Sequence, residues 1–270
     1  MAEDTFTLGV VGVGAMGGAI ARGVVASGAL RPEDVSVCDV DPARLESFAE
    51  MGVNVVPTAR ELVGRQTDIV LVAVKPQVLP EVGAGFADLL RGRAVVSIAA
   101  GINLETLENL FEGARVIRVM PNLPIQVLSG ATAIAPGKSA TELDVERVRR
   151  LFSALGSAQV MREDQLDAEG AVVSCGPAYI ALFVDALTRA GVKAGMPAQA
   201  CREMVEATML GVAKQLLESQ EHPRAYMERV TSPGGTTAAG LYALEPLLVD
   251  GAYDAVDAAL RRTAELAEGR

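Results

Sequence analysis

Short apolar runs rich in β-branched residues alternate with longer amphipathic stretches in the first part of the chain. Helices are predicted in these stretches, for example at 16–27, 42–51 and 141–155. Strands that alternate with helices favour a parallel sheet covered on both faces, as in a doubly wound α/β domain. We predict strands at the apolar runs, which are 7–11, 35–38, 53–56, 69–74, 94–98, 116–120, 131–135 and 158–161.

The pattern changes after the polar cluster at 162–164, where strand-like runs end. Several of the segments that follow are apolar on more than one face, and such helices must be buried. The boundary is therefore expected at residue 162, between an α/β domain at 1–162 and an all-helical domain at 163–270. The predicted helices are 171–193, 197–219, 223–231, 236–248 and 252–267.

Composition excludes several classes of function. The 270 residues carry 24 Lys and Arg against 34 Asp and Glu, a net charge of −10, so nucleic acid is not an expected partner. Three widely spaced cysteines and one histidine, His222, predict a reducing compartment and no metal site. The polar N-terminus does not resemble a signal peptide, and the apolar runs look too short to span a bilayer, so a cytoplasmic protein with no membrane partner is expected.

A glycine motif, Gly12-Val13-Gly14-Ala15-Met16-Gly17, follows the first predicted strand and opens the first helix. In such a motif the first glycine permits a tight turn, the second lets the backbone approach a pyrophosphate, and the third lets the helix pack on the strand. The N–H groups of the helix N-terminus then face the phosphates. This context predicts a Rossmann-type domain that binds a dinucleotide through residues 12, 14, 15, 16 and 17; a glycine-rich turn without a ligand is the alternative.

Asp39 ends the second predicted strand, 39 − 17 = 22 residues after the last glycine of the motif. An acidic residue there accepts hydrogen bonds from the adenosine ribose and repels a 2′-phosphate, which favours NADH over NADPH. Asp41 is better placed than Asp39 to cap the helix predicted from Pro42. Arg44 opposes the preference, because its side chain is suited to a 2′-phosphate.

Two further segments follow predicted strands, at the edge where ligands bind in open α/β sheets. Ala73-Val74-Lys75-Pro76 places a cation where it would meet an anionic ligand, although a solvated surface lysine fits equally well. Asn122 stands between two prolines after the sixth strand, and this sequence alone favours a stiff structural turn there.

The segment 230–237 joins two apolar helices far along the chain and is rich in glycine and hydroxyl side chains. Glycines just before a helix form a nest of N–H donors with the positive end of the helix dipole behind it, which suits a small carboxylate. A helix cap made by Thr236 or Thr237 is the simpler interpretation, and the two are compatible.

Taken together, these segments resemble pyrroline-5-carboxylate reductases over nearly the whole chain, from Leu8 to beyond Leu248. The most specific part is Ser232-Pro233-Gly234-Gly235-Thr236-Thr237, followed by Ala239-Gly240-Leu241. The other similar segments are Ala73-Val74-Lys75-Pro76-Gln77, Ser97-Ile98-Ala99-Ala100-Gly101, Met120-Pro121-Asn122, Ser129-Gly130-Ala131-Thr132 and Gly176-Pro177-Ala178-Tyr179.

The resemblance implies an enzyme that transfers hydride from NADH or NADPH to the C=N carbon of 1-pyrroline-5-carboxylate and forms L-proline. It implies that the loop near Val230 holds the substrate: Ser232, Gly234 and Gly235 would bind its carboxylate, and Thr237, the catalytic candidate, would hydrogen-bond the ring nitrogen. The implied cofactor contacts are the glycine motif, Asp39, Ala73, Val74, Lys75, Pro76, Ala99, Ala100, Gly101 and Asn122. No general acid is identified.

This chain departs from the family pattern at three places: Ser174 replaces a glycine, Leu123 stands where Thr is usual, and Ala15 stands where Asn or Gln is common. Two alternatives remain open at this stage. One is a related imine or β-hydroxyacid reductase, and the other is a catalytically idle protein that senses dinucleotides on the same fold.

The segments 171–193 and 197–219 carry apolar residues around most of their circumference. A small helical domain has little interior in which to bury them, and soluble monomers rarely expose large apolar patches. We therefore predict a homodimer through the C-terminal helices, with a higher homo-oligomer also allowed. The resemblance agrees, because reductases of this family dimerise through interlocked C-terminal helices.

Overall fold

The computed structural model describes residues 5–65 and 67–267, without the side chains of the last two. Eight strands form one sheet in the order β3-β2-β1-β4-β5-β6-β7-β8. They are Leu8–Val11 (β1), Val35–Cys38 (β2), Asn54–Val55 (β3), Ile69–Val72 (β4), Ala94–Ser97 (β5), Arg115–Pro121 (β6), Gly130–Pro136 (β7) and Gly156–Val160 (β8).

In the described part of the chain, six helices accompany the strands and five more follow them. They are Ala15–Ala26 (α1), Glu46–Glu50 (α2), Ala59–Gly64 (α3), Leu79–Ala84 (α4), Leu104–Leu110 (α5), Glu142–Ser153 (α6), Leu166–Glu169 (α7), Gly176–Lys193 (α8), Ala198–Ser219 (α9), Pro223–Arg229 (α10) and Thr236–Ala267 (α11). The predicted α/β half and helical half are therefore confirmed.

The sheet is parallel except between β6 and β7, which pair antiparallel. The predicted parallel sheet is thus confirmed, and the antiparallel pairing of β6 with β7 is an addition to it. The two strands are joined by a short 3₁₀ turn at Leu123–Val127, and a connection of that length closes a hairpin but cannot make a crossover.

The central strands β1, β2, β4 and β5 are buried along their whole length. Apolar clusters cover both faces of the sheet, one containing Phe48 and Phe152 and the other Phe86 and Phe111. Parallel strands buried on both faces read as continuous Val, Ile and Leu runs, which is why the sequence predicted them well.

Two corrections concern the helical half. The residues 171–174 belong to a π-helical turn, Gly170–Ser174, that precedes α8. The predicted break between residues 248 and 252 is wrong, because α11 continues for 32 residues with Pro246 inside it. Ala- and Leu-rich segments on either side have high helix propensity, and it outweighs the proline and Gly251 here.

The described chain divides into two compact units. The first runs as far as Ser174 and resumes at Leu260, and the second is Cys175–Ala259. Within the second unit α8 packs on α9, where Gly191 lies so close to Cys201 that a Cβ atom would be 2.4 Å from the sulfur. None of the residues of α8 is buried, and α9 buries Cys201 alone.

Candidate active site

The first unit gathers most of the predicted site residues at one edge of its sheet. Strands β1, β2, β4, β5 and β6 run parallel, so the loops after them share the carboxyl edge. The segments that follow these strands are the glycine loop at 12–17, Asp39, residues 73–76, residues 99–101 and Asn122. The substrate-loop candidates at 230–237 lie in the second unit.

The glycine loop makes a tight turn from β1 into α1. Gly12 has φ = 92°, a conformation that side-chain-bearing residues rarely adopt. A Cβ atom on Gly17 would lie 2.1 Å from the carbonyl oxygen of Gly12, so only glycine allows the helix to approach the strand this closely. The loop therefore has the shape that a Gly-x-Gly-x-x-Gly motif requires.

The N-terminus of α1 is open to an anion. Gly14 is the N-cap and supplies no side-chain cap, and the first intrahelical bond runs from the N–H of Gly18 to the carbonyl of Gly14, at 2.8 Å. The N–H groups of Ala15, Met16 and Gly17 come before that bond and are the unpaired donors of a helix end. A cradle of this kind fits the pyrophosphate of a dinucleotide.

Asp39 braces the glycine loop. Its Oδ2 accepts a hydrogen bond from the N–H of Val13 at 2.8 Å, and its Oδ1 accepts one from the N–H of Asp41 at 3.0 Å. Asp41 caps the turn at Pro42–Arg44 by accepting from Ala43, as predicted. The sequence did not predict the brace between Asp39 and Val13.

Arg44 borders the same loop. Its guanidinium lies 3.6 Å from Asp39 and 3.2 Å from Asp41, and a Cβ atom on Gly14 would lie 3.6 Å from its Nη1. The side chain is half-exposed, so its charge is available to a ligand at the end of β2.

The segment after β4 packs against the glycine loop. The carbonyl oxygen of Ala73 would lie 3.1 Å from a Cβ atom on Gly12, and the Ala73 side chain 2.7 Å from one on Gly17. Lys75 is exposed, and its carbonyl accepts bonds from Val78 and Leu79 that start α4. The structure thus brings residues 73–74 to the cofactor-loop candidate and leaves the Lys75 side chain in solvent.

The segment after β5 turns at Gly101, where φ = 76°. The N–H of Ala99 donates to the hydroxyl of Ser97 at 3.3 Å. Ala99 is buried, whereas Ala100 and Gly101 are exposed at the edge of the sheet.

Asn122 is buried after β6, and both ends of its amide are used. Its Oδ1 accepts from the N–H of Ala131 at 2.9 Å, and its Nδ2 donates to the carbonyl of Val173 at 3.2 Å. Asn122 therefore ties β6 both to β7 and to the π-helical turn at Gly170–Ser174. The turn-forming interpretation of this residue agrees with these bonds, and its cofactor contact stays a prediction.

Glu169 is a buried carboxyl group that the sequence analysis missed. Its Oε2 accepts from the hydroxyl of Ser174 at 3.3 Å, and its Oε1 has no hydrogen-bond partner among the described residues. Burial raises the pKa of Glu169 to about 7, and the bond from Ser174 only partly opposes the rise. A glutamate in a polar stretch at a domain boundary carries no sequence signal that would mark it as buried.

The second unit presents the 230–237 loop at the start of α11. The N–H of Gly235 donates to the carbonyl of Ser232 at 3.0 Å, and the N–H of Ala239 donates to the carbonyl of Gly235 at 3.2 Å. A Cβ atom on Gly235 would lie 2.4 Å from the Ser232 hydroxyl oxygen, so a side chain there would have to displace that hydroxyl group. Thr236 and Thr237 begin the helix, and both are exposed.

Exposed donors surround this turn. The N–H groups of Thr236, Thr237 and Ala238 come before the first intrahelical bond of α11 and point out of its N-terminus. Ser232 and Gly234 are exposed, and Val230 is half-exposed. The arrangement suits a small carboxylate, as the sequence predicted, although the carboxylate itself stays a prediction.

Among the described residues, no group of three or more His, Cys, Asp and Glu side chains could hold a metal ion. One helical run, Glu163–Lys193, is long and apolar enough to cross a bilayer by length and composition alone. This corrects the expectation that every apolar run is too short. Length and composition of this kind are also found in the core helices of soluble proteins.

Comparisons with known proteins match both halves of the chain. Residues 163–266 match the family model described as pyrroline-5-carboxylate reductase dimerisation, and residues 7–101 match one described as NADP oxidoreductase, coenzyme F420-dependent. A pyrroline-5-carboxylate reductase of Methanosarcina acetivorans is 37% identical over 263 residues, which cover 96% of this chain and 97% of that protein.

Two solved structures are similar over the same length. A pyrroline-5-carboxylate reductase from Coxiella burnetii is 29% identical with a TM-score of 0.93, covering 97% of this chain and 99% of that one. The pyrroline carboxylate reductase of Plasmodium falciparum with NADP bound is 28% identical with a TM-score of 0.85, covering 97% and 98%.

A substitution at Gly14 should change NADH affinity without changing the thermal stability of the fold. Gly14→Ala should keep the fold, because its Cβ atom would make only an ordinary contact at 3.6 Å, but should weaken NADH binding at least about tenfold by blocking the approach of the pyrophosphate. Fluorescence titration and thermal unfolding measure the two effects. Gly64→Ala is the matched control, since a Cβ atom there meets nothing within 4 Å; equal affinity of both variants would contradict the assignment.

Proposed function

This chain belongs to the pyrroline-5-carboxylate reductase family, and we propose that its glycine loop and the 230–237 loop are the cofactor and substrate sites. It is an NAD(P)H-dependent oxidoreductase that reduces the C=N bond of 1-pyrroline-5-carboxylate and forms L-proline. The observation that carries the site assignment is the pair of open helix N-termini, at α1 and α11. Turnover of pyrroline-5-carboxylate with each cofactor, with proline detected by mass spectrometry, tests the activity.

The proposed cofactor site is supported by the shape of the glycine loop, which suits a dinucleotide pyrophosphate. Gly14, Gly17 and the unpaired N–H groups of α1 would hold the pyrophosphate, with residues 73–76, 99–101 and 122 along the same edge. When bound, the reduced nicotinamide supplies a hydride to the ring carbon, and one proton taken up at the ring nitrogen completes the CH–NH product. Close packing between Ala73 and Gly17 keeps the loop rigid, which favours a fixed orientation of the bound cofactor.

In the substrate half, the carboxylate would accept bonds from Ser232, Gly234 and Gly235 at the positive end of α11, with the N–H of Gly235 shared between the carboxylate and the carbonyl of Ser232. Thr237 would hydrogen-bond the ring nitrogen and hold the proton that it gains. The attraction for both anionic ligands is then local, since the chain as a whole carries a net charge of −10. Thr237 is the one side chain to which we assign a catalytic role.

Thr237→Val keeps the shape of the side chain and removes its hydroxyl group. A hydrogen bond to a charged group contributes about 1.5–3 kcal/mol, so kcat/KM should fall on the order of tenfold to a hundredfold. Thr236→Val is the matched control, because both residues are exposed in the first turn of α11. Wild-type kcat/KM in Thr237→Val would reduce Thr237 to a residue of the helix end.

The cofactor preference that we propose is a mild one for NADH. Both side-chain oxygens of Asp39 accept backbone bonds, and each oxygen has a further lone pair for a ribose hydroxyl. Its negative charge opposes a 2′-phosphate, while Arg44 beside it partly compensates.

Asp39→Ser should raise the ratio of kcat/KM with NADPH to kcat/KM with NADH by about tenfold. The substitution removes the negative charge that opposes a 2′-phosphate, and Arg44 loses Asp39 as an ion-pair partner. Steady-state kinetics with both cofactors measure the shift. Asp34→Ser is the control: Asp34 precedes the same strand β2 at its other end and pairs with Arg31. A wild-type enzyme that clearly prefers NADPH would contradict the proposal.

The protein is a homo-oligomer that acts on a small-molecule substrate. We propose that the C-terminal helices form its dimer interface and that higher assembly builds on that dimer. Large apolar side chains stand exposed on α8 and α9, among them Leu182, Leu210 and Leu217. A second copy would cover them, and it would also account for the apolar run at Glu163–Lys193.

Light scattering should show a particle larger than the 28.1 kDa chain. Replacing Leu210 and Leu217 with Glu should yield inactive monomer, because both are about 70% exposed on α9. Leu143→Glu, at an exposed leucine of α6 in the first unit, should stay assembled. An active monomer would refute the proposed dimer.

A mixing experiment tests whether the active sites are shared between chains. A dimer of one Gly14 variant and one Thr237 variant should recover part of the activity if the 232–237 loop of one chain faces the cofactor domain of the other, and none if each chain works alone.

We also propose a cytoplasmic location and a functional boundary at residue 162. The match to the dimerisation model starts at residue 163, which supports that boundary, whereas the compact units change at Ser174. The helical turns at 163–174 thus pack with the first unit although they match the dimerisation model.

A further inference from the structure

A line of hydrogen bonds joins the buried carboxyl group of Glu169 to the end of β6. Glu169 accepts from the hydroxyl of Ser174, and the neighbouring carbonyl of Val173 accepts from the amide of Asn122. At the other end of the same turn, a Cβ atom on Gly170 would lie 3.0 Å from the sulfur of Met120. The π-helical turn therefore meets the Met120–Asn122 segment at both ends, through close packing at Gly170 and through a hydrogen bond at Val173.

We propose that Glu169 is a positioning residue for the cofactor site, and that its protonated form holds the Gly170–Ser174 turn in the geometry that Asn122 requires. The inference rests on the proposed function, since it takes Asn122 as part of the cofactor site. Glu169 itself touches neither ligand in this account. It acts through Ser174 and the turn.

Protonation matters because the two forms of this carboxyl group need different surroundings. The neutral form tolerates burial with one bond from Ser174. The ionised form leaves a buried negative oxygen, Oε1, with no donor among the described residues. A buried charge without donors is costly, so ionisation must rearrange the turn or admit water.

No charged side chain among the described residues lowers the pKa of Glu169, which is set by burial and by the bond from Ser174. Arg118 of β6 pairs with Glu163 and Asp167, at 3.3 and 3.8 Å, while its buried Nε has no partner among the described residues, and Arg115 of β6 pairs with Asp144. The strand β7 contributes no charged side chain. The elements with the most extensive packing against α7 and the turn carry the charged groups Glu163, Asp164, Arg115 and Arg118, and α7 itself carries Asp167.

Linkage gives the direction of the effect. A ligand that binds the protonated form better must itself raise the pKa of the group, and its affinity falls as pH rises through that pKa. Burial places the pKa of Glu169 at about 7, so the change falls in the neutral range. NADH is the suitable probe, because it lacks the 2′-phosphate that titrates in the same range.

The test is fluorescence titration of the full chain with NADH, without substrate, between about pH 6 and about pH 8.5. Wild-type affinity should fall about fivefold across this range with a midpoint near neutrality. Glu169→Gln keeps the shape and cannot ionise, so its affinity should stay flat at the low-pH value. His222→Gln, at the single histidine, exposed before α10, should keep the wild-type profile.

A second variant keeps the test independent of how well Glu169→Gln folds. Ser174→Ala removes the bond that lowers the pKa of Glu169, so the midpoint should move to higher pH. A purely structural role would instead shift affinity by the same factor at every pH. Parallel profiles for wild type and Glu169→Gln, or an unmoved midpoint in Ser174→Ala, would overturn the inference. Failure to form proline while these titrations behave as expected would refute only the proposed function.

Discussion

The close approach of α1 to β1 at Gly17 is the contact on which the rest of the proposed cofactor site depends. With no side chain between them, the helix starts directly at the strand end and its N-terminal N–H groups face outward at Gly14. Asp39 then fixes the loop from the neighbouring strand through Val13, and Ala73 closes it from the other side. A side chain at Gly17 would separate helix from strand and move every donor of the loop together.

The two units differ in how far their apolar side chains are buried within one chain. The first covers both faces of its sheet within one chain, and its central strands are fully buried. The second leaves α8 without a buried residue and α9 with Cys201 alone, so its apolar side chains find no interior of their own. In the proposed dimer a second copy would bury these side chains, and the free energy of that burial would stabilise the helices.

Sequence alone predicted the parts in which local pattern and tertiary environment agree. The apolar strands, the glycine motif and the Asp41 cap follow from period, spacing and residue type, and the structure has all three. The strand β7 was predicted, but its antiparallel direction was not, because the residues of a strand do not show which way it runs relative to its neighbour. The continuous α11 was missed because Pro246 and Gly251 predict a break, whereas helix propensity on both sides of them prevails. Contacts between distant segments, such as Asn122 with Val173, have no local signal at all.

The buried carboxylates show why the number of donors matters more than burial itself. Burial alone would raise the pKa of Asp144, but bonds from Arg115 and Thr141 hold it below its ordinary range. Glu169 receives a single hydroxyl bond, and burial prevails there. That one donor belongs to the turn bonded to Asn122, so the proposed coupling between the charge of Glu169 and the shape of this turn follows from the lack of a second donor.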